Sequence, residues 1–195
     1  MSELERQLLE LLRKRSLRKG TFKLASGDTS DYYIDVRMTQ VYSKGAALLG
    51  EVLYERTRDL KAGAIGGLEV GAVPLATAAA IAYHAHGEEM EGFWVRSEVK
   101  QHGTKKLIEG GLAPGSRVVV VDDVITRGES AAKAIRAVRD HGCAVVRVVT
   151  IVDRLGGAAE VFRQLGVPEY QAVFTINDVL GADGAAAAPG PTAAR

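Results

Sequence analysis

The stretch VVVVDDVITRGES, residues 118–130, runs from four valines through two adjacent aspartates into a loop with two hydroxyl side chains and a glycine. A continuous β-branched run of this kind is typical of a strand that is buried on both faces of a parallel sheet. Asp122 and Asp123 are neighbours on that strand, so their side chains point to opposite faces and at most one aims straight into a given site. Residues 124–130 predict a loop at a helix N-terminus, whose backbone N–H groups and hydroxyls suit a phosphate monoester.

The two carboxylates beside this loop indicate which ligands the site can bind. Carboxylates accept hydrogen bonds from hydroxyl groups but repel phosphate oxygens, so the pair favours a ligand with both a phosphate and vicinal hydroxyls, such as a ribose 5-phosphate. The alternative is that one aspartate merely caps the following helix. Neither the P-loop string Gly-x4-Gly-Lys-Ser/Thr nor the dinucleotide-binding string Gly-x-Gly-x-x-Gly occurs in the sequence.

Strands and helices alternate along the chain. Apolar runs predict strands at the start of AGAIGGLEVGAVPLA and in EGFWVRSEV, RVVVVDDV, AVVRVVTIVDR and YQAVFTI. Helical patterns occupy about residues 44–58, a segment that starts near Pro74, a segment that stops at His141, and AAEVFRQLG. The alternation predicts an α/β fold with a central, mostly parallel sheet flanked by helices. Ligands bind at the carboxyl ends of such strands, and the polar residues that fall there are Glu69, Asp122, Asp123 and Arg154.

The two ends of the chain have different patterns. Leucines at helical spacing predict a first helix that ends in the basic run RKRSLRKG near Gly20. FKLASGDTSDYYIDVR, residues 22–37, predicts a hairpin or turn between short strands, broken at residues 26–28. Residues 182–195 are rich in alanine, glycine and proline and are expected to be disordered. We find no linker, so residues 1–181 are expected to form a single domain.

The composition argues against several classes of protein. The 195 residues have a formal net charge of +1 and a hydrophobic content of 47%, so no global field favours a nucleic acid or a membrane as partner. We expect no signal peptide and no membrane span. Cys143 is the only cysteine, which excludes an internal disulfide and fits a reducing, cytoplasmic location. It is expected to be a small buried residue.

Residues 118–130 closely resemble the phosphoribosyl diphosphate (PRPP) binding motif of the type I phosphoribosyltransferases. The resemblance implies the fold of that family, with a small N-terminal hood at about residues 1–40. It also implies that the acidic pair contacts the ribose hydroxyls and that the following loop holds the 5-phosphate. The PRPP-binding residues in this stretch are then Asp122, Asp123, Val124, Ile125, Thr126, Arg127, Gly128, Glu129 and Ser130.

Three further stretches, FKLASGDTSDYYIDVR, RSEVKQHGTKKLIEG and IVDR, resemble the orotate phosphoribosyltransferases. The first is similar to the orotate-binding segment of that family, and in the last an arginine faces the orotate. A planar guanidinium at Arg154 suits the carboxylate or carbonyls of a pyrimidine, although a salt bridge to Asp153 or another acid is the alternative. Tyr32 and Tyr33 alternate on a strand, so one of them is expected to pack inside. The expected orotate-binding residues are Ser26, Gly27, Tyr32, Tyr33, Thr126 and Arg154.

RSEVKQHGTKKLIEG is similar to the mobile catalytic loop of those enzymes and covers about residues 97–111. Its cationic side chains suit a lid that brings positive charge onto a departing diphosphate and excludes water. A solvated charged loop is the alternative. By resemblance, the lid closes over the active site of the neighbouring subunit in a homodimer. Arg96, Lys100 and His102 are then further PRPP-binding residues, and the catalytic residues are Lys100, His102, Asp122 and Asp123.

GGLEVGAVPLA resembles the diphosphate-binding loop of the family, whose glycines let backbone amides approach an anion closely. The expected contact residues are Glu69, Val70 and Gly71. Some relatives carry a lysine where this chain has Glu69-Val70, and relatives also carry lysines at the positions of Ser97 and Ala25. This chain therefore departs from the family pattern at three cationic positions.

Together the motifs predict an enzyme that converts orotate and PRPP to orotidine 5-monophosphate and diphosphate, a step of pyrimidine synthesis. The expected cofactor is Mg²⁺, held mainly by diphosphate and ribose oxygens rather than by dedicated protein ligands. One alternative is a phosphoribosyltransferase for another base, such as a purine or uracil. The other is a regulatory protein that senses PRPP and binds nucleic acid, which predicts a defective lid and a separate basic surface or DNA-binding domain.

Overall fold

The strand with the acidic pair lies in the interior of a six-stranded sheet. The computed structural model describes residues 1–23, 29–98 and 106–181. Within these residues the strands are β1 Leu17–Lys23, β2 Thr29–Ile34, β3 Ala64–Leu68, β4 Glu91–Val95, β5 Ile108–Gly110, β6 Arg117–Ile125, β7 Ala144–Asp153 and β8 Tyr170–Thr175. The sheet has the order β5-β4-β3-β6-β7-β8. All its neighbours are parallel except β4 and β5, which confirms the predicted α/β class.

Helices cover both faces of this sheet. They are α1 Glu3–Arg15, α2 Arg37–Gln40, α3 Ser43–Thr57, α4 Ala72–Ala85, α5 Glu129–Asp140, α6 Ala158–Gln164 and α7 Ile176–Leu180, with a 3₁₀ turn at Arg58–Leu60. One core cluster contains buried side chains of α1, α3, α4 and α7, and the other contains those of α5 and α6. The sheet is therefore the middle of three layers, as a parallel sheet requires.

The valines of β6 contribute to both core clusters. Val119 and Val121 pack into the cluster with α3 and α4, whereas Val118 and Val120 pack into the cluster with α5. All four are fully buried, which confirms the strand predicted from the β-branched run. The two aspartates that follow do not continue this alternation, and the expectation that they point to opposite faces is wrong: a hydrogen bond joins their side chains. After them Val124 packs against the cluster with α3 and α4, and Ile125 packs into the cluster with α5.

The N-terminal segment differs from its prediction at one boundary. The first helix ends at Arg15 rather than near Gly20, and β1 begins at Leu17. The reason is pairing: β1 joins β2 in an antiparallel hairpin, which satisfies backbone groups that a longer helix would have bonded internally. The hairpin itself was predicted. Together with α1 and α2 it makes up the segment expected to form an N-terminal hood, and its turn, residues 24–28, lies outside the described residues.

Three short elements have no counterpart in the predictions. These are α2, the antiparallel edge strand β5, and α7, which begins at Ile176 where the last strand was expected to continue. A capping box between Thr175 and Asp178 starts α7. β4 ends at Val95, earlier than expected, and β5 occupies the end of the stretch expected to be a mobile loop. Short elements lack the periodicity by which longer ones are found.

Two simpler expectations can be compared directly with the structure. Cys143 is buried, with 6% of its surface exposed, as predicted. No helix among the described residues is long and apolar enough to cross a bilayer.

Gly50 sets the distance between α3 and α4. A Cβ at this position would lie 2.5 Å from the carbonyl oxygen of Ala78, so we expect Gly50→Ala to lower the free energy of unfolding by about 1–3 kcal/mol. In an exposed helix the same change would raise it by about 1 kcal/mol. Urea denaturation measures the difference.

Gly63→Ala is the matched control, because a Cβ there would have no atom within 4 Å. Its free energy of unfolding should stay within about 1 kcal/mol of the wild type. If Gly50→Ala proved as stable as this control, the close approach of the two helices would not limit packing.

Candidate active site

The connection between β6 and α5 encloses the first cavity of the site. Its volume is about 240 Å³, and its lining consists of Asp122, Val124, Ile125, Thr126, Arg127, Gly128, Glu129 and Ser130. Gly128 precedes α5 with a φ of 80°, and a Cβ on it would lie 2.8 Å from the ring of Phe162. Only glycine fits that position. The N-terminus of α5 therefore meets the cavity, in the geometry that favours an anion.

A second cavity, of about 270 Å³, adjoins the first. It is lined by four segments of the chain: hood residues 34–37, residues 68–71 from the end of β3, the end of β6, and Ser130 of α5. Asp122, Val124 and Ser130 line both cavities, whereas Asp123 lines only the second. The structure thus brings the three expected diphosphate-loop residues, Glu69, Val70 and Gly71, next to the acidic pair.

Burial dominates the electrostatics of the acidic pair. Asp122 is 7% exposed; its burial, and next the charge of Asp123, raise its pKa to about 8. Burial also raises the pKa of Asp123, although the backbone N–H of Val124 and the charge of Arg37 oppose that shift. The pair therefore keeps a proton near neutral pH, which hydrogen bonds from hydroxyl groups or a bound cation would displace.

The diphosphate loop contacts both the acidic pair and the start of the expected lid. A Cβ at Gly71 would lie 2.5 Å from Oδ1 of Asp123, so a larger residue would displace the carboxylate. Glu69 accepts hydrogen bonds through Oε1 from the backbone N–H of Ser97, at 3.0 Å, and from its hydroxyl, at 3.2 Å. Glu69 and Ser97 are two of the positions where the family resemblance led us to expect lysine, and here they bind each other.

Tyr32 and Arg154 come together, as their shared assignment to the orotate site requires. The Arg154 guanidinium lies 5.4 Å from the Tyr32 ring centroid and donates to the Tyr32 hydroxyl at 3.4 Å. The alternative partner of Arg154 was Asp153, but that carboxylate instead accepts from Tyr170 at 2.8 Å and from the backbone of Leu155 at 2.7 Å. Among the described residues, the buried Nε of Arg154 has no acceptor.

One of the two tyrosines is buried and the other is exposed, as expected. Tyr32 is 7% exposed and Tyr33 is 42% exposed, with the Tyr33 ring tilted against Phe22. Neither tyrosine lines the two cavities, and Arg154 does not line them either. Their contact with orotate remains a prediction.

The structure describes only part of the stretch that is expected to form the cationic lid. Arg96 donates from Nε to Glu109 at 2.9 Å and does not line either cavity. Lys100 and His102 lie outside the described residues, as do Ser26 and Gly27 of the orotate segment.

The sequence interpretation missed Asp35 and Arg37, which line the second cavity from the hood. Both belong to the segment that was assigned to orotate, YYIDVR. The Asp-x-Arg pattern of residues 35–37 could have indicated them, because an aspartate two residues before an arginine can cap a short helix and bind the guanidinium.

Comparison with known proteins places the chain in a family. A model of the phosphoribosyl transferase domain matches residues 38–175. The orotate phosphoribosyltransferase of Rhodopseudomonas palustris is 43% identical over 179 residues, 89% of this chain and 95% of that protein. That of Mycobacterium avium is 42% identical over 177 residues, 91% and 96% of the two chains. The Mycobacterium tuberculosis enzyme in complex with PRPP superposes with a TM-score of 0.77 at 39% identity, covering 90% of this chain and 98% of that one.

The fold, the paired cavities and the matching domain model define a type I phosphoribosyltransferase. With relatives above 40% identity over nearly the whole of both chains, the chain belongs to the orotate phosphoribosyltransferase family. The resemblance inferred from four sequence stretches is thereby confirmed.

The raised pKa of Asp122 predicts how stability depends on pH. The folded pKa of about 8 exceeds the unfolded value of about 3.9. Between these values the folded chain binds more protons than the unfolded chain, so the free energy of unfolding falls as the pH rises. Asp122→Asn removes this titration. Relative to the wild type, the variant should become more stable as the pH rises from about 5 to about 9, by on the order of 1 kcal/mol or more.

Urea denaturation across that pH range measures the effect. Asp140→Asn, an exposed position at the end of α5, is the matched control and should follow the wild-type pH profile. A stability difference for Asp122→Asn that did not change with pH would contradict the assigned shift.

Proposed function

We propose that the chain transfers the 5-phosphoribosyl group of PRPP to orotate, forming orotidine 5-monophosphate and diphosphate. The observation that carries this function is the position of the acidic pair between two adjoining cavities, one at a helix N-terminus and one at a glycine loop. A ribose with a phosphate at one end and a diphosphate at the other matches that division. The named activity of the relatives supports orotate as the acceptor.

The donor spans both cavities in this proposal. Residues 124–130 hold the 5-phosphate in the first cavity through backbone N–H groups and hydroxyls. The ribose hydroxyls donate hydrogen bonds to Asp122 and Asp123, whose side chains lie beside each other at the end of β6. The diphosphate occupies the second cavity against residues 69–71, whose backbone approaches closely because Gly71 has no side chain.

The acceptor lies under the hood. Arg154 supports this placement because its buried Nε has no acceptor among the described residues, and a carboxylate would satisfy it. Tyr32 holds the guanidinium from the hood side. The remaining assigned contacts of orotate are Ser26, Gly27, Tyr33 and Thr126.

The reaction exchanges one bond at the anomeric carbon. A ring nitrogen of orotate forms the new C–N bond and loses its proton, while the C–O bond to diphosphate breaks; the diphosphate leaves with the electron pair and takes up the proton. Positive charge accumulates on the ribose and negative charge on the leaving group, so the acidic pair stabilises the first and the lid residues Lys100 and His102 the second. Closure of the lid would also exclude water, which otherwise competes with orotate.

Mg²⁺ is the cofactor in this proposal. The described residues contain no cluster of three or more histidine, cysteine, aspartate or glutamate side chains that could hold a metal. The carboxylates of Asp122, Asp123 and Glu69 that line the second cavity are nevertheless the oxygen donors that a hard cation prefers, and they suit an ion that arrives with its phosphate ligands. When bound, the ion neutralises charge on the diphosphate.

The outer face of α4 supports a homodimer. This helix contains no aspartate, glutamate, lysine or arginine, and Ile81 on its outer face is 66% exposed. Thr77 and His84 are exposed on the same face, so the face has no charged carboxylate, ammonium or guanidinium group and carries a large exposed apolar side chain. A second copy of the chain would cover Ile81. In the dimer the lid serves the neighbouring active site; Arg96, which lies at its base and does not line either cavity of its own subunit, is compatible with that arrangement.

The acceptor is tested by incubating the protein with PRPP, Mg²⁺ and one base at a time: orotate, uracil, hypoxanthine or adenine. Of the four bases, we expect only orotate to be converted, and the decrease in orotate absorbance measures the rate. Asp123→Asn should abolish turnover without unfolding the chain, because it removes a carboxylate from the ribose, while Asp140→Asn should retain it. Turnover with another base would overturn the acceptor, and none with any base would favour the PRPP sensor.

The dimer is tested by placing a charge on α4. Ile81→Glu should convert the dimer to a monomer in sedimentation velocity and abolish turnover, because each site would lose the lid of its partner. Ala159→Glu adds the same charge to the exposed surface of α6, on the opposite side of the sheet, and should change neither property. A dimer that persists in Ile81→Glu would exclude α4 from the interface.

A further inference from the structure

The second cavity is strongly acidic for a site that binds a diphosphate. The carboxylates of Asp35, Glu69, Asp122 and Asp123 line it, and Arg37 is the only cationic side chain among its described lining residues. Carboxylates repel phosphate oxygens. A diphosphate in this cavity therefore needs a positive group close to it, and Arg37 is placed to supply that charge.

Asp35 orients the Arg37 guanidinium. The Asp35 carboxylate accepts from Arg37 Nε at 2.8 Å and from Nη2 at 3.0 Å. It also accepts from the Arg37 backbone N–H at 3.1 Å, so one carboxylate binds both the backbone and the guanidinium of Arg37. This bidentate contact uses one edge of the guanidinium and leaves Nη1 and the second N–H of Nη2 for another acceptor. The Arg37 side chain is 51% exposed, so a ligand can reach it.

The charge of Arg37 reaches the acidic pair. Asp35 and then Asp123 raise the pKa of Arg37, and Arg37 in turn opposes the upward shift in the pKa of Asp123. The guanidinium is therefore permanently charged and lies within electrostatic range of the carboxylate that borders the diphosphate loop.

A second contact holds the diphosphate loop and α2 together. Gln40, the last residue of α2, donates from Nε2 to the carbonyl oxygen of Gly71 at 3.1 Å. Gln40 is 3% exposed, so this hydrogen bond is buried. Arg37 lies three residues earlier on the same helical turn, so this hydrogen bond positions its backbone relative to the loop.

We propose that Arg37 binds the diphosphate group of PRPP, and of the product, through the guanidinium edge that Asp35 leaves open. This inference rests on the proposed function, because it takes the second cavity as the diphosphate site. Arg37 supplies positive charge and directional hydrogen bonds from the hood. The competing explanation is a surface ion pair with Asp35 that has no ligand.

The test measures binding of two probes that report on separate cavities. Isothermal titration calorimetry with inorganic diphosphate and Mg²⁺ reports on the second cavity, and ribose 5-phosphate reports on the first. Arg37→Met should weaken diphosphate binding by about tenfold, because a charge-assisted contact is lost. It should change ribose 5-phosphate binding by no more than about twofold.

Two further variants show whether charge or geometry matters. Arg37→Lys keeps the charge but loses the planar fork, so its diphosphate affinity should fall between those of Arg37→Met and the wild type. Arg6→Met removes an exposed arginine that also pairs with a nearby carboxylate, Glu3, and should bind both probes like the wild type. Thermal unfolding of each variant confirms that it is folded.

The outcomes separate this inference from the proposed function. Unchanged diphosphate affinity in Arg37→Met, or an equal loss for both probes, would overturn the role of Arg37. A selective loss of diphosphate affinity would support it, even if the wild type failed to use orotate, since calorimetry does not depend on turnover. Where turnover with orotate is observed, the variant should raise the KM for PRPP by about tenfold and leave the KM for orotate within about twofold.

Discussion

The structure depends on the burial of β6 between two layers of helices. Four valines of this strand are fully buried, and each contributes about 1.5 kcal/mol or more through removal of its side chain from water. That apolar burial offsets the cost of placing Asp122 at 7% exposure directly after them. The cost is also reduced because Asp122 binds a proton near neutral pH instead of remaining charged in a poorly solvated position. The packing of the buried strand thus fixes the position of the two carboxylates at the carboxyl end of the sheet.

The acidic end of β6 explains why the site has two compartments. Asp122 lines both cavities, and Asp123 lines the second together with the hood and residues 68–71. The two carboxylates lie beside each other, since a hydrogen bond joins their side chains. A ligand that spans both cavities passes this strand end, which is where a ribose would meet both carboxylates. The position of the acidic pair between the cavities therefore sets the order of phosphate, sugar and diphosphate.

Much of the fold could be predicted because its longer elements have strong periodicity. The runs of β-branched residues in β6 and β7 and the apolar faces of α3 and α5 identify these elements without tertiary information. The three-residue β5 and the four-residue α2 are too short to show a period, and they form because neighbouring elements offer hydrogen-bond partners. The early end of α1 has the same origin, since Leu17–Lys23 pairs with β2. Asp35 and Arg37 were missed for this reason, because they lie at the start of α2.

The sequence by itself determined the α/β class, the acidic strand end and the phosphate loop, because these features are local and their residue types are contiguous in residues 118–130. It also indicated the family through four separate motifs. Only the tertiary structure decided which distant residues meet: Arg154 with Tyr32, Glu69 with Ser97, and Arg37 with the cavity of Asp123. Such contacts depend on how strands order themselves in the sheet and where the hood lies over it. Those arrangements arise from packing across the whole chain, and no local stretch encodes them.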